Sequence, residues 1–403
     1  MGRAKVLLTG ATGSVGGELL VRLLAEEARP IVCLVRADSD AAARERGRRT
    51  LASLTGSGDL AGMIEWVAGD VTRPRLGLDR RTASRLASEV EEVFHCAAST
   101  ALDLSLSEAH RANVQSAATV HRLCEEAVAR GGFRRLHHVS TAFAAGRSAG
   151  PLHADQLPDD RAELFRNTWE RTKARAERFL RARWDRVPTT IYRPSFVAGE
   201  SESGRTGSWS GLYQPLRMIA EGRLPFLPRA GLGRLDCVPV DFVAAGVLAI
   251  GRRRDTAGRA FHLVAGRDAI TVERAAAETF AALSRRTSAP PRTRVLGPLA
   301  WRLLRGALSW ASPEARRAIE AFSTFEPYTA IGAPFEDHRE RGLLHAAGVV
   351  LAPASEFFPR AVEYALRANF GRPRRAASRR RVLDLAEPIT AVLTPAQLRA
   401  ATA

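Results

Sequence analysis

The stretch Val6-Leu-Leu-Thr-Gly-Ala-Thr-Gly-Ser-Val-Gly-Gly17 decides the fold of this chain. Its first residues form a short apolar run suited to a buried strand, and the apolar residues after Gly17 recur at helical spacing. Three glycines, Gly10, Gly13 and Gly16, separate the two. In this context the first allows a tight turn, the second lets the backbone approach a pyrophosphate, and the third lets helix and strand pack closely. The stretch therefore predicts a dinucleotide site at a helix N-terminus.

Further apolar runs follow along the chain, at residues 30–36, 64–71, 90–98, 136–141 and 189–197, with helical stretches between them. Strands that alternate with helices predict parallel βαβ units. We therefore predict an α/β fold, a Rossmann-type doubly wound parallel sheet with a smaller, mainly helical C-terminal substrate region.

Changes in residue composition and in the spacing of apolar residues predict the domain organisation. Residues 1–198 are predicted to form the cofactor-binding domain, and residues 199–370 a substrate region from which some strands rejoin the core. A Gly- and Ser-rich loop at 199–211 is a candidate lid over the substrate, and residues 371–403 read as a basic linker and tail. Residues 295–310 predict a helix packed on the core, with a membrane-surface helix as the alternative.

The charge of the chain is strongly positive, at +17, and of its 60 basic residues only Lys5 and Lys173 are lysine. We interpret the excess as a solvated arginine-rich surface and predict no nucleic-acid partner. The alternative is attraction to an acidic partner, such as a phosphorylated cofactor, a coenzyme A thioester or an acidic carrier protein.

The cysteines predict neither a metal site nor a disulfide framework, because they are scattered and form no C-x-x-C pair. No run of eighteen or more apolar residues is present, and the first ten residues lead directly into a strand without a leader pattern. These features predict a cytoplasmic protein with reduced thiols at Cys33, Cys96, Cys124 and Cys237.

The end of the second strand indicates which cofactor is bound. Enzymes that bind the ribose 2′-hydroxyl of NAD usually have an acidic residue there, whereas this chain has Arg36, followed by Arg46 in an arginine-rich helix. A guanidinium can hold a 2′-phosphate through two charge-assisted hydrogen bonds. We therefore predict NADPH rather than NADH; the alternative is that Arg36 is merely solvated.

The glycine spacing, with Thr9 before it and Thr12 inside it, resembles the extended short-chain dehydrogenase/reductase superfamily. That resemblance implies adenine contacts by Asp70 and Val71, and a structural role for Asn113. The candidate cofactor-binding residues are Gly10, Thr12, Gly13, Ser14, Val15, Gly16, Arg36, Arg46, Asp70, Val71, Ala97, Ala98, Lys173, Pro194 and Ser195.

The resemblance also implies a catalytic group, and here the chain departs from the pattern. Superfamily members carry Tyr-x-x-x-Lys on one helix face, with a Ser or Thr on the preceding strand. Thr141 and Lys173 occupy two of these positions, but Trp169 stands where the tyrosine belongs. An indole donates a hydrogen bond but does not release its proton near neutral pH. The proton would then come through water or from Tyr213, in the candidate lid region.

Within the superfamily the chain is most similar to the fatty acyl-CoA reductase and thioester reductase (male sterility-type) group. The motifs that carry this resemblance lie at residues 7–13, 33–37, 69–72, 139–142, 193–195 and 238–241. It implies NADPH-dependent reduction of an acyl thioester, on coenzyme A or a carrier protein, or of the derived aldehyde. Two alternatives stay open: a non-catalytic NADPH-binding sensor or interaction protein, and an NAD-dependent nucleotide-sugar epimerase or dehydratase.

Overall fold

The structure is a computed structural model that describes residues 4–27, 29–56, 63–148, 150–224, 226–229, 233–291, 293–311, 313–331 and 334–373. The strands are β1 (Lys5–Thr9), β2 (Ile31–Val35), β3 (Ile64–Ala68), β4 (Val90–His95), β5 (Arg135–Val139), β6 (Thr189–Pro194), β7 (Phe196–Ala198), β8 (Phe226–Pro228), β9 (Arg234–Leu235), β10 (Cys237–Pro239), β11 (Arg259–Leu263), β12 (Ile270–Thr271) and β13 (Arg294–Leu296). The helices are α1 (Ser14–Glu26), α2 (Asp40–Thr55), α3 (Arg80–Glu89), α4 (Leu106–Ala109), α5 (Ser116–Ala129), α6 (Thr168–Arg181), α7 (Tyr213–Ala220), α8 (Val240–Gly251), α9 (Val272–Ser284), α10 (Pro298–Ala311), α11 (Pro313–Ser323), α12 (His338–Ala346) and α13 (Ala354–Arg367).

The central sheet has seven parallel strands in the order β3-β2-β1-β4-β5-β6-β11. The chain runs outward from β1 to β3, then crosses back to β4 and proceeds in the other direction. This confirms the predicted doubly wound α/β fold. The strand order reverses between β1 and β4, and in such sheets ligands bind in the crevice at the C-terminal ends of the strands beside that point.

Helices cover the sheet on both faces, which explains the continuous apolar runs of its strands. Apolar residues of α1, α2 and α8 pack on one face, among them Leu19, Leu51 and Val243. Residues of α3, α5 and α6 pack on the other, for example Leu86 and Val120.

The C-terminal region packs around an apolar core built mainly from α7, α9, α13 and the residues around 322–335, and this core also includes Phe143, Trp169 and Phe196. Three two-stranded pairs, β7 with β10, β9 with β12 and β8 with β13, connect its helices. Strand β11 and helix α8 come from this part of the chain but belong to the central α/β unit, α8 packing against α1. No helix in the described ranges is both long enough and apolar enough to cross a membrane.

Some predicted elements differ in detail from the structure. The predicted strand 189–197 is divided, because β6 ends at Pro194 and β7 leaves the central sheet to pair with β10. The segment between α4 and α5 is a π-helical turn, His110–Gln115, that carries Asn113. Helix α10, Pro298–Ala311, covers most of the predicted helical segment 295–310 and ends one residue beyond it. Of the predicted linker and tail, residues 374–403 lie outside the described part of the chain.

Candidate active site

The glycine turn between β1 and α1 has the geometry of a phosphate cradle. Gly10 has a φ of +79°, and a Cβ there would lie 2.6 Å from the backbone nitrogen of Ala97. A Cβ on Gly16 would lie 2.1 Å from the carbonyl oxygen of Gly10. Neither position can accept a side chain, so backbone alone forms the crevice floor. Helix α1 has no side-chain cap at its N-terminus, which leaves its first N–H groups free for an anion.

A cavity of about 370 Å³, which we call the cofactor cavity, lies at the C-terminal ends of the strands. It brings together most of the predicted site residues: Gly10, Thr12, Gly13, Ser14, Val15, Gly16, Ala98, Thr141, Trp169, Lys173, Pro194 and Ser195. The glycine turn thus shares one cavity with Thr141 and Lys173. Ala97 is not a lining residue, although its backbone contacts Gly10.

The candidate lid forms part of the cavity wall. Gly207, Ser208 and Gly211 line the cavity, and Gly207 faces the start of α1. The loop is held at Ser201, whose backbone N–H and hydroxyl both donate to the Asp241 carboxylate, at 2.9 and 2.6 Å. Composition alone indicated this loop, but its position over the glycine turn follows only from the tertiary structure.

Beside the end of β2, Arg36, Arg46 and Asp70 lie near one another outside the residues that line the cavity. The Arg46 guanidinium donates to the Arg36 carbonyl at 3.0 Å. Burial alone would raise the pKa of Asp70, but hydrogen bonds from Thr72 and the charges of Arg36 and a second arginine hold it below its usual value. Val71 is half-buried next to Asp70. The arrangement places two guanidinium groups beside the end of β2, where a ribose would lie.

Lys173 is buried in the wall of the cofactor cavity, on α6. Its Nζ donates to the carbonyl oxygen of Val139 at 2.9 Å. Burial lowers the pKa of Lys173 to about 8, against the opposing charge of Glu177. His95 lies nearby, and burial together with the Lys173 charge lowers its pKa to about 3. The ammonium group is thus protonated at neutral pH and beside a neutral imidazole.

Thr141 follows β5 and caps a short 3₁₀ turn. Its hydroxyl donates to the Pro194 carbonyl and accepts from the backbone N–H of Phe143, both at 3.3 Å. These are long for hydrogen bonds made by a hydroxyl group. The Thr141 hydroxyl can therefore give up its weak hydrogen bond to the Pro194 carbonyl and donate to a substrate oxygen at little cost in free energy.

Trp169 lies one helical turn before Lys173, with its side chain 93% buried and its ring 6.2 Å from that of Phe143. Within the described ranges its Nε1 has no hydrogen-bond partner. Tyr213 does not join this group: it begins α7, packs against Trp209 and is absent from the cavity lining. Burial also raises the pKa of Tyr213. The expectation that Tyr213 reaches the site is therefore not met by the structure.

Two polar networks anchor helix α6. Asn113 donates to the Thr172 hydroxyl at 2.9 Å and accepts from the Ser99 N–H at 3.1 Å, which joins the π-helical turn to α6. Arg193 and Glu177 are fully buried and paired, with nitrogen–oxygen distances of 2.8 to 3.1 Å. The sequence indicated Asn113 and the motif at 193–195 by resemblance, whereas the Glu177 partnership was not predicted.

This fold and this cavity define a Rossmann-type NAD(P)-binding domain, since the glycine cradle and the uncapped start of α1 fit a dinucleotide pyrophosphate. The chain belongs to the NAD-binding family described as male sterility protein, whose model matches residues 8–247. The predicted resemblance to the extended short-chain dehydrogenase/reductase superfamily and its thioester reductase group is thereby confirmed.

Curated relatives are large enzymes of which this chain spans a small part. A linear gramicidin synthase of Brevibacillus parabrevis is 29% identical over 266 residues of one of its polypeptides, covering 64% of this chain and 5% of that polypeptide. Isonitrile lipopeptide synthase of Streptomyces coeruleorubidus is 32% identical, covering 63% and 17%. Aldehyde reductase lnbA of Aspergillus flavus is 29% identical, covering 64% and 26%.

Solved structures extend the similarity of fold beyond the family match. The terminal R domain of the myxalamid PKS-NRPS pathway has a TM-score of 0.75 at 23% identity and covers 92% of both chains. UDP-glucuronic acid 4-epimerase of Bacillus cereus has a TM-score of 0.62 at 15% identity, covering 92% of this chain and 98% of that one. Reductases and epimerases thus share this fold, which by itself does not distinguish them.

Proposed function

We propose that this chain is an NADPH-dependent reductase that converts an acyl thioester to an aldehyde and a free thiol. The observation that carries the proposal is that Thr141 and Lys173 line the same cavity as the glycine cradle. The names of relatives support it, because they include an aldehyde reductase and a terminal reductase domain of a peptide synthetase assembly.

The reaction consumes one hydride and one proton. When bound, the nicotinamide supplies the hydride to the thioester carbonyl carbon. Thr141 donates a hydrogen bond to the carbonyl oxygen, which stabilises the negative charge that develops there. Lys173 supplies the proton to that oxygen, directly or through one water molecule, and also orients the cofactor ribose. When the carbon–sulfur bond breaks, the proton on that oxygen passes to the leaving sulfur, so that aldehyde and free thiol are released and NADP⁺ is the oxidised product.

The assignment of the proton to Lys173 rests on what the neighbouring groups can do. The indole of Trp169 does not ionise in the relevant range, and Tyr213 lies outside the cavity lining. An ammonium group with a pKa of about 8 holds its proton at neutral pH and releases it readily. The Trp169 indole lines the cavity, but its N–H is buried and has no hydrogen-bond partner within the described part of the chain.

We also propose that the cofactor is NADPH rather than NADH. Arg36 and Arg46 support this, since two guanidinium groups beside the end of β2 suit a 2′-phosphate. Titration of NADPH and NADH against the wild type and Arg36→Ala tests the assignment. Equal affinities of the wild type for the two cofactors would contradict it.

The substrate is proposed to arrive on coenzyme A or on a carrier protein. A solved relative named as a thiolation-reductase di-domain, with a TM-score of 0.68 at 20% identity, supports a carrier, and the charge of +17 suits an acidic one. Consumption of NADPH is to be measured with acyl-CoA thioesters, with the same acyl groups on a phosphopantetheinylated carrier protein, and with free aldehydes. Turnover of the carrier-bound form alone would assign the carrier.

The second candidate function is a non-catalytic NADPH-binding protein, and Trp169 favours it because the usual proton donor is absent. The deciding comparison is wild type beside Trp169→Tyr with the same thioesters. If the wild type is inactive and the Trp169→Tyr variant is active, the chain keeps the fold and cavity of a reductase but lacks the proton donor. Activity in the wild type would establish that the chain has another proton donor.

A further inference from the structure

We infer that an apolar pocket beside the cofactor cavity binds the acyl group and selects uncharged, apolar acyl chains of short to medium length. The inference rests on the proposed function and specifies its substrate. The pocket and the cofactor cavity share Phe196, Gly211 and Leu212 as wall residues, so a group that enters the pocket starts beside the reacting centre. We call it the acyl pocket.

The walls of the acyl pocket come from α7, α9, β8, β9 and the segment 322–329. Ile219 and Leu216 contribute from α7, and Ala275 and Ala276 from α9. The two alanines leave space where larger residues would fill it. Because these elements belong to the C-terminal region, the acyl group would lie against that region while the cofactor lies against the glycine turn.

No charged side chain is among the wall residues that the structure describes. The polar side chains on the wall already have partners. The Thr279 hydroxyl donates to Ala275 O at 2.7 Å, and the Thr329 hydroxyl donates to Glu326 O at 2.7 Å. The Tyr328 hydroxyl accepts from Asn167 Nδ2 at 2.9 Å. A charged acyl group would lose its water here and gain no partner, which strongly disfavours its binding.

The size of the acyl pocket limits the acyl chain. Its free volume is about 60 Å³, which accommodates roughly four to six water-sized groups. Each buried methylene improves binding about fourfold. Binding affinity should therefore rise with each added methylene that fits into the pocket, and it should stop rising once the pocket is filled.

The test uses coenzyme A thioesters that differ only in the acyl group. We expect kcat/KM for hexanoyl-CoA to exceed that for butanoyl-CoA by about fifteenfold, from two methylenes, and decanoyl-CoA to add at most a few-fold. Succinyl-CoA has the chain length of butanoyl-CoA with a terminal carboxylate, and we expect it to be at least about a hundredfold poorer. A succinyl group reduced as well as a butanoyl group would overturn the inference.

Variants on α9 assign this preference to the acyl pocket. Ala276→Leu fills the pocket, whereas Ala277→Leu makes the same change one residue along, at an exposed position outside the wall. We expect the first to lower kcat/KM for hexanoyl-CoA at least about tenfold and the second to leave it unchanged, with NADPH affinity equal in both. Ile219→Ala enlarges the pocket and should shift the acyl chain length of highest kcat/KM toward decanoyl-CoA. This second variant keeps the test valid even if Ala276→Leu does not fold. Identical chain-length profiles in Ala276→Leu, Ala277→Leu and Ile219→Ala would overturn the assignment.

A binding measurement separates this inference from the proposed function. Hexyl-, butyl- and carboxypropyl-CoA thioethers lack the carbonyl and cannot be reduced, so calorimetry with NADP⁺ present measures binding alone. If no thioester is turned over but the thioethers bind in the expected order, the reductase proposal fails and the acyl pocket stands. If thioesters are turned over but the thioethers bind equally, the pocket assignment fails and the reductase proposal stands.

Discussion

The role of Lys173 as proton donor predicts a specific pH dependence of the reaction. Burial lowers its pKa from 10.5 to about 8, which corresponds to roughly 3 kcal/mol of penalty on the charged form. The donor must be protonated to act. Because about nine-tenths of the lysine is protonated near pH 7 and about one-tenth near pH 9, kcat should fall about tenfold between those values.

The assay is the single-turnover consumption of NADPH with saturating thioester, followed across that pH range. Repeating it with NADPH deuterated at the transferred position shows whether hydride transfer limits the measured rate. The matched variant is Lys173→Arg, which keeps a positive charge at the same helix position but does not deprotonate in this range. We expect the variant to be much slower and to lose the decline at alkaline pH.

A kcat that stays level from about pH 7 to pH 9, with a full deuterium isotope effect, would refute the assignment of the proton to Lys173. Retention of the alkaline decline in Lys173→Arg would refute it equally, because another group would then be titrating. Cofactor affinity measured in parallel at each pH distinguishes these outcomes from loss of NADPH binding.

Three further predictions concern the cofactor and the buried core. Arg36→Ala should weaken NADPH binding about tenfold or more while leaving NADH affinity unchanged, as measured by fluorescence titration; an equal loss for both cofactors would argue against a 2′-phosphate contact. Gly16→Ala should abolish binding of both cofactors, since its Cβ would lie 2.1 Å from a carbonyl oxygen of the turn; full binding in a folded variant would contradict the cradle. Arg193→Met should lower the free energy of unfolding by about 1.5–3 kcal/mol in urea titrations, because the buried Glu177 carboxylate loses its fully buried partner and keeps the Arg181 guanidinium at 3.2 Å and the Ser140 hydroxyl. The control Arg229→Met, which removes an exposed ion pair, should change the midpoint little, and a similar effect of both substitutions would refute the argument from burial.

Much of the α/β unit could be predicted from the sequence because its signals are local. The strand, glycine turn and helix at residues 6–17 follow from short-range sterics, and the same steric limits appear as the close approaches at Gly10 and Gly16. The position of Lys173 one helical turn after Trp169 is likewise fixed by helix geometry.

The sequence did not determine which side chains meet across long-range contacts. Tyr213 was a reasonable candidate by residue type, but its side chain packs against Trp209 in the C-terminal core rather than at the cavity. Glu177 is one of many charged residues on its helix, and the sequence does not indicate its partner. The structure shows that Arg193, on β6, packs against it.

The sequence by itself determined the strand–turn–helix cradle, the order of the βαβ units and the absence of the usual tyrosine, since each depends on residues a few positions apart. Only the tertiary structure decided which groups share the cofactor cavity and that an apolar pocket opens beside it. The walls of that pocket come from segments spread over about 160 residues of the chain, from Phe196 to Phe358. An apolar pattern shows that a side chain is buried, but the packing of distant segments determines what it faces.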